Sequence, residues 1–265
     1  MKVKEVVCAL EQFAPLPLQD GFDNAGMQIG LTDAEVAGAL LCLDVTEAVL
    51  DEAIALGYNL VISHHPLIFK GYKSITGHDY VERCIMKAIK NDIVIYSAHT
   101  NLDNAHEGVN FKIAQKIGLK HVRFLDPKTD LPSGLEQPAG AGVIGELEEP
   151  ETETEFLKRI KKTFEVECLR HTRLTGREIQ TVALCGGAGA FLIPTAIDRH
   201  ADVFITGEIK YHDYFGRENN ILLAEIGHYE SEQYTKEIFY NIIREMFPNL
   251  DVQMTKVNTN PIKYM

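Results

Sequence analysis

The chain alternates between stretches with helical spacing and short, wholly apolar runs. Val3, Val6, Val7, Leu10 and Phe13 recur at helical intervals in the opening KVKEVVCALEQFA, and Pro15 and Pro17 stop that helix. The loop QDGFDNAGMQIG follows, then the run VAGALLCLD, which fits a buried strand. The helix TEAVLDEAIALG opens on Thr46, a capping residue, and closes on Gly57. Next come the strand NLVISHH, a helix around Tyr80 to Lys90, the strand IVIYSAH and a helix around Val109 to Ile117 closed by Gly118. Strands alternating with helices predict a largely parallel sheet covered on both faces.

Residues 126–141, DPKTDLPSGLEQPAGA, are rich in Pro and Gly, lack periodicity and read as a linker. Two α/β domains are therefore expected, 1–130 and 131–265. The second restarts with the strand GVIGEL, the helix EFLKRIKKTF, a strand around CLRHTR and the strand VALCGG. A helix from about Phe191 to Arg199, the strands DVFITGE and ILLAEIGH, one long helix SEQYTKEIFYNIIREMF, the strand DVQMTKV and a short polar tail complete it. Aligning Cys42 with Cys185 places Ala53 on Ala196, Ile62 on Ile205 and Ser63 on Thr206, so the two halves read as related three-layer α/β/α units.

Composition narrows the function. The 265 residues carry a formal charge of −12, which argues against sequence-independent nucleic-acid binding but leaves room for one nucleotide in a local pocket. No apolar run reaches membrane-span length, and the N-terminus lacks a signal-peptide pattern, so a cytoplasmic protein is expected. Five cysteines without a C-x-x-C pair read as reduced, mostly buried thiols.

The histidines are distributed unevenly. In open α/β sheets ligands bind beyond the carboxyl ends of strands. His64 and His65, His99 and Asp103, Glu208, and His228 and Glu232 all fall at such ends. The two H-x-x-x-acid steps, His99 to Asp103 and His228 to Glu232, occupy corresponding places in the halves. Imidazole with carboxylate suits a divalent transition metal, and zinc, iron, manganese or nickel would fit. Neighbours on a strand point to opposite faces, so His64 and His65 reach one site only where the strand ends; there the rings can diverge toward two ions, with Asp103 or Glu232 able to bridge. His78, His106, His121, His171 and His200 lie in polar or loop contexts and read as ordinary. His212, in GEIKYHDY, either faces the site or lies beside it. LCGGAGAF lacks the Lys-Ser/Thr of a P-loop and reads as a tight strand-to-helix turn, and no G-x-S-x-G elbow is present.

FDNAGMQIG, LCLDVT, ISHHPLIF, SAHTNLD, ITGEIKYHD and IGHYESE, in this order, resemble the NIF-three-like proteins, the GTP cyclohydrolase 1 type 2 homologues, over nearly the whole chain. The resemblance implies two α/β domains with a dinuclear metal site in the cleft between them and a toroidal homohexamer. It carries the ligand role onto His64, His65, Asp103, His228 and Glu232, and sets His99 beside the metals as a proton carrier or water-orienting group. A metal-dependent hydrolase follows, with His99 or His212 moving protons and GTP, opened at its imidazole ring, as the candidate substrate. The competing reading is a non-enzymatic metal-binding assembly or partner-binding protein.

Overall fold

The computed structural model describes every residue except 132, 133, 136 and 218. Along the chain the regular elements begin α1 (Val3–Phe13), β1 (Gly26–Ile29), β2 (Ala39–Cys42), α2 (Glu47–Leu56), β3 (Leu60–Ser63), α3 (Tyr80–Lys90), β4 (Val94–Ser97) and α4 (Thr100–Asp103). Then follow α5 (Val109–Ile117), β5 (Lys120–Pro127), β6 (Gly140–Thr152), α6 (Glu153–Thr163), β7 (Arg170–His171), β8 (Glu178–Cys185) and α7 (Ile193–Asp198). The last are β9 (Val203–Thr206), β10 (Leu222–Glu225), α8 (His228–Glu232), α9 (Thr235–Met246) and β11 (Val252–Met254). Among the described residues they build two sheets, and the fold is mixed α/β.

The chain divides into two compact units, but not at the expected linker. One unit comprises Met1–Leu102 with Thr235–Pro261; the other comprises Asp103–Tyr234 with Ile262–Met265. The boundary at residue 130 is thus corrected: β5 and β6 on either side of residues 126–141 are antiparallel neighbours in one sheet. The C-terminal strand also returns to the first sheet, where β11 pairs with β2. Within residues 126–141, positions 132, 133 and 136 lie outside the described residues.

In the first unit the sheet order is β1-β4-β3-β2-β11. β2, β3, β4 and β11 run parallel, and β1, which reads as loop in the sequence, adds an antiparallel edge against β4. The three central strands are buried along their whole length, which is why they read as unbroken apolar runs. Alternate side chains separate the two faces. Leu40, Cys42, Val61 and Ile95 pack with Val49, Leu50 and Ala53 of α2 and Cys84, Ile85 and Ala88 of α3. α9 packs on α1 and against β2, giving the third layer. Thr46 caps α2 through its side chain, which accepts from the Val49 amide, and Gly57 ends the helix in the left-handed region, φ 71°.

In the second unit the order is β5-β6-β8-β9-β10-β7. Only β8, β9 and β10 are mutually parallel; β5, β6 and β7 are antiparallel additions, so this sheet is mixed rather than largely parallel. β5 carries alternating exposed residues and has no apolar run to announce it. Leu192, Ile193 and Ala196 cover one face of the sheet beside Ala183, Phe204 and Leu223. The helices α5 and α6 pack on β6 and β8. The expected long C-terminal helix is two: α8 stops at Glu232 and α9 starts at Thr235.

The internal repeat is visible in the hydrogen-bond register. Ala39 pairs with Leu60 and Cys42 with Ser63; shifted by the same offset, Val182 pairs with Val203 and Cys185 with Thr206. The third strand of each set shows where the halves diverge. The Ala98 amide donates to the Ser63 carbonyl, and the Ile226 amide donates to the Thr206 carbonyl. Ala98 therefore matches Ile226, His99 matches Gly227, and His228 matches Thr100. The two H-x-x-x-acid steps lie in equivalent segments but one residue out of step.

Glu153, at the first turn of α6, is 3% exposed and accepts from the Thr175 amide at 2.9 Å, the Thr175 hydroxyl at 2.8 Å and the Gly176 amide at 2.8 Å. Burial alone would raise its carboxyl pKa, but the donors of Thr175 and Gly176 outweigh it and hold the pKa below the usual value. Glu153→Gln should cost about 1.5–3 kcal/mol at neutral pH, as expected for hydrogen bonds to a charged group. Because the folded pKa is depressed, that stability is present above the unfolded pKa of roughly 4.3 and disappears as pH falls through the folded value. Chemical denaturation of both proteins should show a gap that is constant at neutral pH and closes in acid; a gap independent of pH contradicts the assignment.

Candidate metal centre

β3 ends at Ser63, and the next two residues leave the ladder in a fixed geometry. The His64 amide donates to the Cys42 carbonyl at 3.3 Å and the His65 amide to the Leu43 carbonyl at 3.0 Å. The His65 carbonyl accepts from the Ser63 hydroxyl at 2.9 Å and the Ser97 hydroxyl at 3.3 Å. With the backbone held, the two rings stand 4.9 Å apart, and the His99 ring, just past the end of β4, lies 5.3 Å from His64 and 5.4 Å from His65. One potential ligand atom from each of the three lies within 4.8 Å of the others. His64 is fully buried, and the side chains of His65 and His99 are 16% and 14% exposed.

Each ring is oriented through the same nitrogen. His64 Nδ1 lies 2.9 Å from the Ala98 carbonyl oxygen, which can only accept, so Nδ1 carries the proton. His65 Nδ1 donates to Asp44 Oδ1 at 2.7 Å, and His99 Nδ1 to Asp23 Oδ1 at 2.7 Å. In the neutral form all three rings then present the lone pair of Nε2, the arrangement that metal-ligating histidines show. The carboxylates are themselves held ionised. Burial acts to raise Asp23, but the hydrogen bonds from His99 and Thr100 work against it and its pKa lies at about 2. Asp44 is lowered on the same balance: burial opposes, while the hydrogen bonds of His65 and Thr259 prevail.

The second unit carries its own donor pair. His228 begins α8 directly after Gly227, whose φ of 93° turns the chain out of β10. His228 Nδ1 lies 2.8 Å from Glu208 Oε1, and Nε2 faces Glu232 Oε2 at 3.0 Å, so a carboxylate stands at each ring nitrogen. With one proton on the ring and both carboxyls ionised, lone pairs would oppose each other at one of the two contacts. A proton on Nε2 or on the buried carboxyl would make the Glu232 contact favourable, and so would a cation that attracts both atoms; the imidazole and carboxylate pair is a donor set that fits a metal ion. Glu232 is buried, with 4% of its side chain exposed. The glycine-rich turn after β8 is shaped around it: a Cβ on Gly187 would fall 2.2 Å from Glu232 Oε1 and 3.3 Å from His228 Nε2. The Gly187 amide donates to the Ser231 hydroxyl, and its carbonyl accepts from the Gly207 and Glu208 amides.

The profile of the DUF34/NIF3 family (NGG1p interacting factor 3) matches residues 1–261. The chain belongs to the DUF34/NIF3 family. A "GTP cyclohydrolase 1 type 2 homolog" of Clostridium acetobutylicum is 32% identical over 100% of this chain and 99% of its own length. The crystal structure of a Staphylococcus aureus protein superposes with a TM-score of 0.91 at 31% identity, covering 100% of this chain and 99% of that one. A Bacillus cereus protein related to NIF3 gives 0.90 at 25% identity over 100% and 99%. This NIF3-family chain thus matches its solved relatives over their full lengths, and its fold is the one the sequence resemblance implies.

Of the residues singled out in the sequence, His64, His65 and His99 come together, as do His228 and Glu232. Asp103 closes α4 at the start of the second unit, half-buried, its carbonyl accepting from Asn110 Nδ2 at 3.1 Å. It sits at a helix end rather than a strand end. His212 is exposed on the single turn Tyr211–Tyr214, its ring against Tyr211 and Phe215. Among the described residues it joins none of the clusters able to hold a metal. Cys42, Cys84 and Cys185 are buried and Cys8 and Cys168 exposed, and the clusters contain no thiol. No helix among the described residues is long and apolar enough to cross a membrane.

Sequence reading missed Asp44 as the partner of His65 and gave Asp23 and Glu208 no defined role. LCLDVT does place Asp44 just past the end of a buried strand, where polar residues aim at a site.

Gly187→Ala should place a methyl where the Glu232 carboxylate lies, and its φ of 60° adds about 1–2 kcal/mol of backbone strain. Gly216, φ 75°, would have nothing within 4 Å of an added Cβ, so Gly216→Ala carries the strain alone. Zinc titration against a chromophoric chelator should show weakened binding for Gly187→Ala and unchanged binding for Gly216→Ala. Equal affinities in the two variants would remove Glu232 from the metal centre.

Proposed function

We propose that the chain is a metal-dependent hydrolase that uses two divalent ions per chain, held by His64, His65, Asp103, His228 and Glu232. The observation that carries this reading is the common orientation of four imidazoles. His64, His65, His99 and His228 each direct Nδ1 at a fixed acceptor, and in His228 the other nitrogen faces a buried carboxylate. Nitrogen and oxygen donors without thiolate suit zinc, iron, manganese or nickel. When bound, such ions lower the pKa of water and polarise an electrophile.

The chain's own residues supply the rest. Asp23 fixes the His99 ring through Nδ1, so proton transfer at this ring takes place at Nε2. The three-histidine cluster is mostly shielded from solvent, which strengthens electrostatic interactions with a bound substrate. His212, on its exposed turn, is the other proton carrier in the proposal. GTP, opened at its imidazole ring, is the candidate substrate, supported by the name of the Clostridium acetobutylicum relative.

Elemental analysis after gentle purification should approach two ions per chain, and a value of at most one that added metal leaves unchanged contradicts the dinuclear reading. GTP turnover followed by loss of the purine absorbance should vanish with chelator and return with metal. His99→Ala should lower the rate by about 10²–10⁴-fold at unchanged metal content, the range for a general acid–base group. A fully loaded protein that leaves GTP intact rejects the substrate.

Self-association belongs to the same proposal. A closed homo-oligomer, a hexamer by family resemblance, should appear in light scattering of dilute protein, and a monomer at micromolar concentration contradicts it.

A further inference from the structure

The tail beyond β11 reaches the carboxylate that holds His65. The Thr255 amide donates to the Leu41 carbonyl at 2.8 Å, continuing the pairing with β2. The Thr255 hydroxyl and the Lys256 amide both donate to the Glu52 carboxylate of α2, the latter at 3.0 Å. The Val257 amide turns back on the Thr255 hydroxyl at 3.1 Å, and its side chain packs on the core of the first unit. Residues 255–257 are thereby fixed to the same strand and helix that flank Asp44. Two residues on, the Thr259 hydroxyl donates to Asp44 Oδ2 at 2.6 Å.

Asp44 is therefore held at both oxygens, Oδ1 by His65 Nδ1 and Oδ2 by Thr259. A carboxylate held at one oxygen can rotate about its terminal torsion, which is broad and two-fold. A second donor fixes the plane, and with it the direction of the Nδ1–H bond and of the imidazole behind it. The same construction recurs nearby. Asp23 accepts from His99 at Oδ1, and its Oδ2 receives the Thr100 amide and hydroxyl. Each carboxylate that orients a ring of the three-histidine cluster is thus clamped by a threonine hydroxyl. One threonine follows its histidine directly; the other comes from the far end of the chain.

We infer that Thr259 is a positioning residue of the metal centre, acting through Asp44 to fix the ring of His65. The part concerning metal rests on the proposed function; the part concerning the ring does not. Asp44 is 35% exposed, so water competes for Oδ2 once the hydroxyl is removed. The loss is one of orientation, and the fold should survive it.

The test uses the full chain, stripped with chelator, as wild type, Thr259→Val and Thr259→Ser. Valine keeps the shape without the donor; serine keeps the donor. Nitrogen-15 spectra near pH ~8, above the usual histidine pKa, should show the His65 Nδ1 proton shifted and exchanging faster with water in Thr259→Val, and close to wild type in Thr259→Ser. Zinc titration of the same samples should show affinity about 10-fold weaker for valine, the lower end of the range for an outer partner of a ligand, with serine near wild type. Unchanged His65 resonance and exchange in Thr259→Val overturn the inference, as does equal loss in both variants, which would mark the tail as packing only. Wild type that takes up no zinc yet shows the valine-specific change in His65 refutes the metal function and leaves the positioning role standing.

Discussion

A proton on Nδ1 is the constraint on which both donor groups depend. A neutral imidazole has one donor and one acceptor nitrogen, so fixing the donor fixes the acceptor. His64 directs its Nδ1 proton at a backbone carbonyl, His65 and His99 direct theirs at Asp44 and Asp23, and His228 sets Nδ1 against Glu208. The Ala98 carbonyl, in turn, is placed by the hydrogen bond between the Ala98 amide and Ser63. Ring orientation thus follows from sheet register, and the rigidity of the central strands reaches the nitrogen atoms through one or two hydrogen bonds.

The two units use one scaffold in different ways. Their parallel strands share a register, yet histidines follow the middle strand in the first unit where Gly207 and Glu208 follow it in the second. Gly207 is required there, because a Cβ would fall 2.7 Å from the Gly187 carbonyl. The second unit places its imidazole instead at the first residue of α8, the position held by Thr100 in the first. Equivalent backbone positions have therefore taken different chemistry: the threonine clamps a carboxylate, and the histidine faces one.

What the sequence revealed depended on how local its cause is. Buried strands and capped helices announce themselves in runs of a few residues, and β2, α2, β3, α3 and β4 were all legible for that reason. Strand β1, with half-buried Met27 and Gln28, and β5, largely exposed, owe their pairing to partners elsewhere and have no apolar run to reveal it. The clustering of His64, His65 and His99 was legible because residues just past the ends of buried strands share one edge of the sheet, whereas Asp103 and Glu232 lie at helix ends. Asp44 and Thr259 were not legible, since their contact joins positions 215 residues apart. The polar tail carries no periodicity, and the linker composition of residues 126–141 marked an antiparallel connection within one sheet rather than a border.

The return of α9 and β11 to the first unit sets an order of events during synthesis. Residues 103–234 form an uninterrupted segment and can pair all their strands as soon as that segment has left the ribosome. The first unit cannot: until residues 235–261 emerge, β2 has an open edge and α1 lacks the helix that packs on it. Residues 1–102 are consequently enclosed only after the segment 103–234 that follows them in the chain. A chain interrupted before residue 235 would hold the paired strands of residues 103–234 while β2 still had an unsheltered edge, the state in which association with other nascent chains is the principal hazard.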